Sequence, residues 1–299
     1  MIFNRREFLK RAPMGAAALI SAPGLNAEAL ATPANRTSKI KLSCNLYSFN
    51  DPLRKGEMTL AEVLEFCSDA GFEAVDPTGY YFPDYPKVPA DEYVYEIKKK
   101  AFLLGLDISG TGVRTDFSAP DPEKRAADVE LVRKWVDVAA KMDAPVLRVF
   151  AGKGVPEGHA EGTVMDWAVE SIRQCVEFGR QKGVMIVLQN HNELLKTVEQ
   201  VLYIRKKIAS DWLGINLDIG SLRAGDPYEE IKKLAPYAYT WQIKENVYRY
   251  GKEEKTDLGK IIGIVQESGY RGYIPLETLS GDPRVQIPRF LAEVRAAMK

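Results

Sequence analysis

Lys182-Gly183-Val184-Met185-Ile186-Val187-Leu188-Gln189-Asn190-His191 compresses a helix end, a turn, an apolar strand and a polar strand end into ten residues. The glycine accepts the left-handed conformation that closes a helix, and the chain then enters the next strand. The same punctuation recurs at Ala70-Gly71-Phe72, Leu104-Gly105-Leu106 and Ser268-Gly269-Tyr270. Around these marks lie eight short apolar runs of strand type: Ile40–Leu46, Ala74–Asp76, Asp107–Gly110, Val146–Phe150, Val184–Gln189, Gly214–Asp218, Tyr239–Lys244 and Gly272–Glu277.

Between the runs the apolar period changes to that of a helix. Thr59–Ala70 places Leu60, Val63, Leu64 and Cys67 on one face, and Asp128–Lys141 does so with Val129, Val132, Val136 and Ala140. Strands alternating with helices imply parallel strands joined by right-handed crossovers. Eight such units favour a closed barrel, as does the segment after the first run, Cys44-Asn45-Leu46-Tyr47-Ser48-Phe49, which carries no glycine-rich phosphate turn. The expected fold class is α/β, a single-domain (β/α)8 TIM barrel over residues 39–299.

Asn4-Arg5-Arg6-Glu7-Phe8-Leu9-Lys10 resembles a twin-arginine export motif. It is followed by a modestly apolar stretch, Ala12–Leu25, and by Ala29-Leu30-Ala31, a small-x-small cleavage pattern. Residues 1–31 are therefore expected to be a signal peptide, residues 32–38 a short linker, and the mature chain periplasmic or otherwise exported. Basic and acidic residues balance at 41 each, and removal of residues 1–31 leaves a formal charge of −2. Neither nucleic acid nor a membrane is expected as a partner of the mature chain. Cys44, Cys67 and Cys175 each sit in or beside an apolar run and read as buried packing residues.

In a barrel of this kind the reactive groups gather where strands end and the following loops begin. Those positions read Asn45, Asp76, Arg114, Arg148, Gln189-Asn190-His191, Asp218-Ile219-Gly220-Ser221, Gln242-Ile243-Lys244-Glu245 and Glu277. Polar groups at the ends of apolar strands are costly unless paired or used, and a ring of them indicates a polar cavity. Tyr80, Tyr81, Phe82 and Tyr85 lie in a Pro-rich loop beside the expected barrel mouth, where aromatics either stack on a sugar ring or pack their own loop. His159 reads as a solvent-facing loop residue, and Trp241 as a residue pointing outward under a helix.

Gly71-Phe72-Glu73-Ala74-Val75-Asp76, Leu188-Gln189-Asn190-His191, Leu217-Asp218-Ile219-Gly220, Ile243-Lys244-Glu245 and Gly269–Glu277 together resemble the xylose-isomerase-like TIM-barrel family of sugar isomerases, epimerases and endonuclease-like proteins. The resemblance implies a small carbohydrate substrate and one divalent metal (Mn2+, Mg2+ or Ca2+), held by Glu, Asp, His and Glu on strands five to eight. Here those positions are Gln189, Asp218, Gln242 and Glu277. The two glutamines offer carbonyl oxygens but remove a negative charge and an imidazole, so the alternative is that these residues bind sugar hydroxyls directly.

The family's two-base epimerisation also needs a carboxylate on strand five, and Gln189 is neutral. Glu277 remains as a single general base, with His191, Lys244 and Glu245 as acids or electrostatic stabilisers. Asn45, Asp76, Arg114, Arg148, Asn190 and Glu245 are the expected substrate contacts. Three functions follow in order: a sugar isomerase/epimerase-like enzyme acting next to the carbonyl of an unphosphorylated keto-sugar or glycoside; a keto-sugar lyase or hydratase using Glu277 alone; and a non-catalytic carbohydrate-binding barrel. The endonuclease-like reading needs a histidine-rich multi-metal site, and the chain has two histidines.

Overall fold

All eight apolar runs form strands in the computed structural model, which describes residues 39–299; the signal peptide and linker expected over 1–38 lie outside the described residues. The strands are β1 (Lys41–Asn45), β2 (Ala74–Asp76), β3 (Asp107–Ile108), β4 (Thr111–Gly112), β5 (Val146–Phe150), β6 (Met185–Gln189), β7 (Leu213–Asp218), β8 (Ala238–Lys244), the hairpin β9 (Asn246–Arg249) and β10 (Lys252–Lys255), and β11 (Tyr273–Glu277). The sheet order is β3-β2-β1-β11-β8-β7-β6-β5-β4, with parallel pairing throughout. β3 and β4, at its two edges, are successive pieces of one segment, and Thr78 bridges in parallel to Gly112, so the sheet closes on itself as a TIM barrel.

The third barrel strand differs from its expected span, Asp107–Gly110, because it changes partners midway. Ser109 N donates to Val75 O (2.9 Å) on one side, and Val113 N to Arg148 O (3.0 Å) on the other. Each half is too short to pair on both sides, and the strand divides in two.

Helix boundaries follow local capping chemistry. Leu60–Asp69 starts at a capping box in which Thr59 and Glu62 satisfy each other's backbone N–H groups, and it ends at Ala70 as expected. The helix expected from Asp128 begins earlier, at Pro122: the Asp121 side chain accepts from Glu123 N, and proline fits the first turn, where its missing donor costs nothing. Asp226-Pro227 and Asp282-Pro283 open two further helices in the same way. The β9–β10 hairpin was not expected. Its turn residues Tyr250 and Gly251 have φ of 48° and 77°, suited to a two-residue primed turn, but the charged run Lys252–Lys255 shows no apolar alternation.

β5 and β7 are buried along their whole length, packed by helices outside and by the barrel interior within. Side chains alternate across each strand. Trp241 is fully buried, with its ring 6.1 Å from that of Tyr270. The three cysteines are free and buried. No helix among the described residues is long and apolar enough to cross a membrane.

Helix–barrel contact is tight enough to reverse a propensity argument. In helix Glu161–Lys182, a Cβ at Gly179 would lie 2.4 Å from Val184 O and 3.1 Å from Ile186 Cγ1. Gly179→Ala should gain about 1 kcal/mol from helix propensity, but the backbone clash is expected to outweigh it, for a net loss of about 1–3 kcal/mol. Urea denaturation checks the sign; a stabilised variant would show that the helix moves away without cost.

Candidate functional site

Two buried carboxylates, Asp218 at the end of β7 and Glu277 at the end of β11, converge on the ammonium of Lys244 at the end of β8. Lys244 Nζ lies 2.8 Å from Asp218 Oδ2 and 3.1 Å from Glu277 Oε2, with only 13% of its side chain exposed. Strand register sets this up, since Glu277 pairs with Lys244 and Asp218 with Gln242. Burial alone would push Asp218 up, but attraction and hydrogen bonding to Lys244 hold it below the usual carboxylate range. Burial pulls Lys244 down, and the two carboxylates more than reverse this, so its pKa is raised and the ammonium stays charged.

Around this triad the amides have fixed directions. Asn216 Nδ2 donates to Gln242 Oε1 (3.2 Å), which turns Gln242 Nε2 onto Glu277 Oε2. Gln189 Nε2 donates to Asp218 Oδ2 (2.8 Å), Ser221 Oγ to the same oxygen (2.8 Å), and Gly220 N to Oδ1 (2.9 Å). Asp218 thereby takes three bonds on Oδ2, counting Lys244, and one on Oδ1. Glu277 differs: its Oε1 takes no hydrogen bond among the described residues.

Two cavities, of about 240 and 380 Å³, share His191, Lys244, Glu277 and Leu279. The first is further lined by Tyr47, Tyr80, Arg114, Arg148 and Phe150, and the second by Arg223, Glu245, Asn246 and Tyr248. Arg148 donates to Tyr80 Oη (2.9 Å) and lies over the Phe150 ring at 4.6 Å. A Cβ at Gly112 would lie 2.6 Å from Arg148 Nε, so the glycine leaves room for the guanidinium. Arg114 binds both oxygens of Glu193 (2.6 and 2.8 Å). His191 packs edge-on to Phe150, and its Nδ1 sits 3.1 Å from Glu193 Oε2, off the direction of a hydrogen bond. Burial holds His191 below its usual pKa despite Asp218 and Glu193, so the ring is neutral at pH 7.

Glu277, His191, Lys244, Arg114, Arg148, Gln189 and Gln242 all line the first cavity. Asn45 also lines it, but its Oδ1 caps Tyr47 N (2.9 Å). Asn190 is fully buried and bonds the backbone of Asp218 in both directions (2.8 and 2.9 Å); it positions Asp218 and does not line either cavity. Glu245 lines the second cavity and pairs with Arg289 (3.1 Å). Of the aromatic cluster, Tyr80 lines the first cavity, while the Phe82 and Tyr85 rings pack on Trp135. His159 is exposed, beside Trp167. Glu193, Asn216 and Arg223 were not anticipated. Asn216 carried a usable signal, because it shares the face of Asp218 at a spacing of two along β7.

The residues expected to hold a metal do meet, but as a closed hydrogen-bond set. Both glutamines face the carboxylates with N–H groups, and Lys244 already lies against the oxygens that an ion would share. Among the described residues, no group of three or more His, Cys, Asp or Glu is placed to hold a metal ion. A divalent cation does not fit this donor arrangement.

Residues 64–295 match a family model described as xylose isomerase-like TIM barrel. Among solved structures, D-psicose 3-epimerase with D-tagatose from Clostridium cellulolyticum H10 aligns with a TM-score of 0.71 at 16% identity, covering 87% of this chain and 99% of that one. 3-Keto-D-glucoside 4-epimerase from E. coli aligns at 0.68 and 13% identity, covering 87% and 100%. A xylose isomerase-like TIM barrel protein from Mycobacterium smegmatis in complex with magnesium aligns at 0.65 and 19% identity, covering 87% and 98%. At these identities the likeness shows the fold. Comparison with curated proteins finds no match to the chain.

Asp76, at the end of β2, was expected to contact substrate but lines neither cavity; it supplies a pH test of the buried strand end. Burial raises its pKa to about 6, against the attraction of Arg148 and with help from Glu277. The unfolded value is about 3.9, so the fold binds this proton more tightly than the unfolded chain does. Its contribution to stability falls as pH rises from about 4 through 6. Asp76→Asn should match the wild type near pH 4 and exceed it at pH 8 by on the order of 1 kcal/mol, after discounting for partial exposure. Parallel stability–pH curves for the two proteins would contradict this placement.

Proposed function

This chain belongs to the xylose isomerase-like TIM-barrel family, and on that premise we propose that it is a sugar isomerase/epimerase-like enzyme acting next to the carbonyl of an unphosphorylated keto-sugar or keto-glycoside. The observation that carries the reading is the pairing of Glu277 with Lys244 where the two cavities meet. Glu277 Oε2 is held by Gln242 and Lys244, while Oε1 is unbonded among the described residues and available to take a proton from carbon. Lys244 donates one N–H to Asp218 Oδ2, and its Nζ lies 3.1 Å from Glu277 Oε2 as an ion pair. Its remaining donor capacity supports negative charge developing on the substrate oxygen as the carbon–hydrogen bond breaks, and Arg148, buried in the same wall, adds positive potential.

The neutral amide at Gln189 leaves the opposite face of the substrate without a second base. The proton therefore returns from the side on which it left, to the neighbouring carbon, while that carbon's hydroxyl proton passes to the former carbonyl oxygen, which is isomerisation and not two-base inversion. Elimination is the weaker reading, since a His191 held neutral by burial is a poor acid for a leaving group. A buried arginine against Tyr80 and Phe150 supports a polar ring with apolar faces as the occupant. The export motif in residues 1–31 supports an exported site of action and hence an unphosphorylated substrate.

Proton NMR in D2O, with a panel of keto-sugars and 3-keto-glycosides, tests the reading. The wild type should exchange the hydrogen next to the carbonyl and form an isomer, and Glu277→Gln should slow exchange by about 10²–10⁴-fold. Undiminished exchange in Glu277→Gln would remove Glu277 as the base. Binding without exchange in the wild type would leave a carbohydrate-binding barrel.

A further inference from the structure

We propose that the Lys244 ammonium is this site's resident cation, a covalently tethered replacement for a divalent metal, and that the site is metal-independent. Three observations carry this. Lys244 Nζ lies within 2.8 and 3.1 Å of one oxygen from each buried carboxylate, so a second cation between them would meet the ammonium. The two amides turn their N–H sides to the same oxygens, and Asn216 Nδ2 donates to the far oxygen of Gln242 from behind (3.2 Å). A metal needs lone pairs on those atoms, whereas the protein presents hydrogens. Finally, the barrel makes room for the lysine stem: a Cβ at Gly220 would lie 2.7 Å from Lys244 Cδ and 3.6 Å from Asp218 Oδ1. The charge count agrees, since one lysine offsets one of the two carboxylates and leaves a single negative charge, on the group proposed as base.

The proposal deepens the preceding reading by naming the electrophile that faces the substrate oxygen. Its test needs no substrate, so the two can fail separately. Mature wild-type protein, Lys244→Ala, and the triple variant Lys244→Ala/Gln189→Glu/Gln242→His are titrated with Mn2+ by calorimetry and assayed for bound manganese after dialysis. The wild type should bind no stoichiometric Mn2+ and show no rise in melting temperature at millimolar Mn2+. The triple variant, which removes the ammonium and restores an anionic and an imidazole ligand, should bind about one Mn2+ per chain and melt higher with it. Gly220→Ala, which crowds the lysine stem, should weaken the exclusion and raise Mn2+ affinity above wild type by at least about tenfold. One Mn2+ per wild-type chain, lost in Asp218→Asn, overturns the proposal, as does a folded triple variant that binds none. Should the triple variant fail to fold, the wild-type and Gly220→Ala titrations decide the matter.

Discussion

An ammonium held between two carboxylates inside a barrel is the constraint on which the rest of this site depends. Each buried ion costs several kcal/mol in lost hydration, and only well-placed partners return it. Asp218 is fully buried and Glu277 nearly so. Without Lys244 two like charges would share one low-dielectric pocket, and at least one would have to take up a proton. With it, Asp218 stays ionised, and Glu277 keeps one oxygen without a hydrogen bond among the described residues. Loss of one partner from such a set typically costs about 3–5 kcal/mol, because the remaining charge is stranded.

The fold brings these groups together through register. β7, β8 and β11 are neighbours in the sheet and each ends on a charged residue. Asn190, one residue beyond β6, bonds both backbone groups of Asp218 and fixes that strand end against β6. On the β9 side, Thr256 donates to Lys244 O (2.8 Å), so the loop after the hairpin clamps the end of β8. The opposite wall is built around Arg148, with Gly112 leaving it space and Tyr80 and Phe150 covering its faces. A polar floor and an aromatic, cationic wall thus face each other across the site.

Much of this was legible in the sequence for physical reasons. A barrel strand must be apolar and its last residue sits at the mouth, so Gln189, Asp218, Lys244 and Glu277 announced themselves as polar ends of apolar runs. Gly71, Gly105, Gly183 and Gly269 close helices at positive φ, as their positions between helix and strand implied. Side-chain partners were harder to read. The partner of Lys244 could not be read from the sequence, since neighbours across strands depend on register. Glu193 lies in a loop with no periodicity to single it out. Asn190 has the composition of a substrate ligand and serves instead as a bolt between strand ends. The glutamines in place of ionisable ligands were visible, but their meaning depended on which way the amides turn.

The most direct test of the central claim is a high-resolution crystal structure of the wild-type protein grown in millimolar Mn2+, with anomalous data collected at the manganese edge. The account predicts that Lys244 Nζ sits within hydrogen-bonding distance of both Asp218 and Glu277, with no anomalous peak between them. A manganese peak bridging the two carboxylates, with Lys244 turned aside and the glutamine oxygens facing the ion, would contradict it.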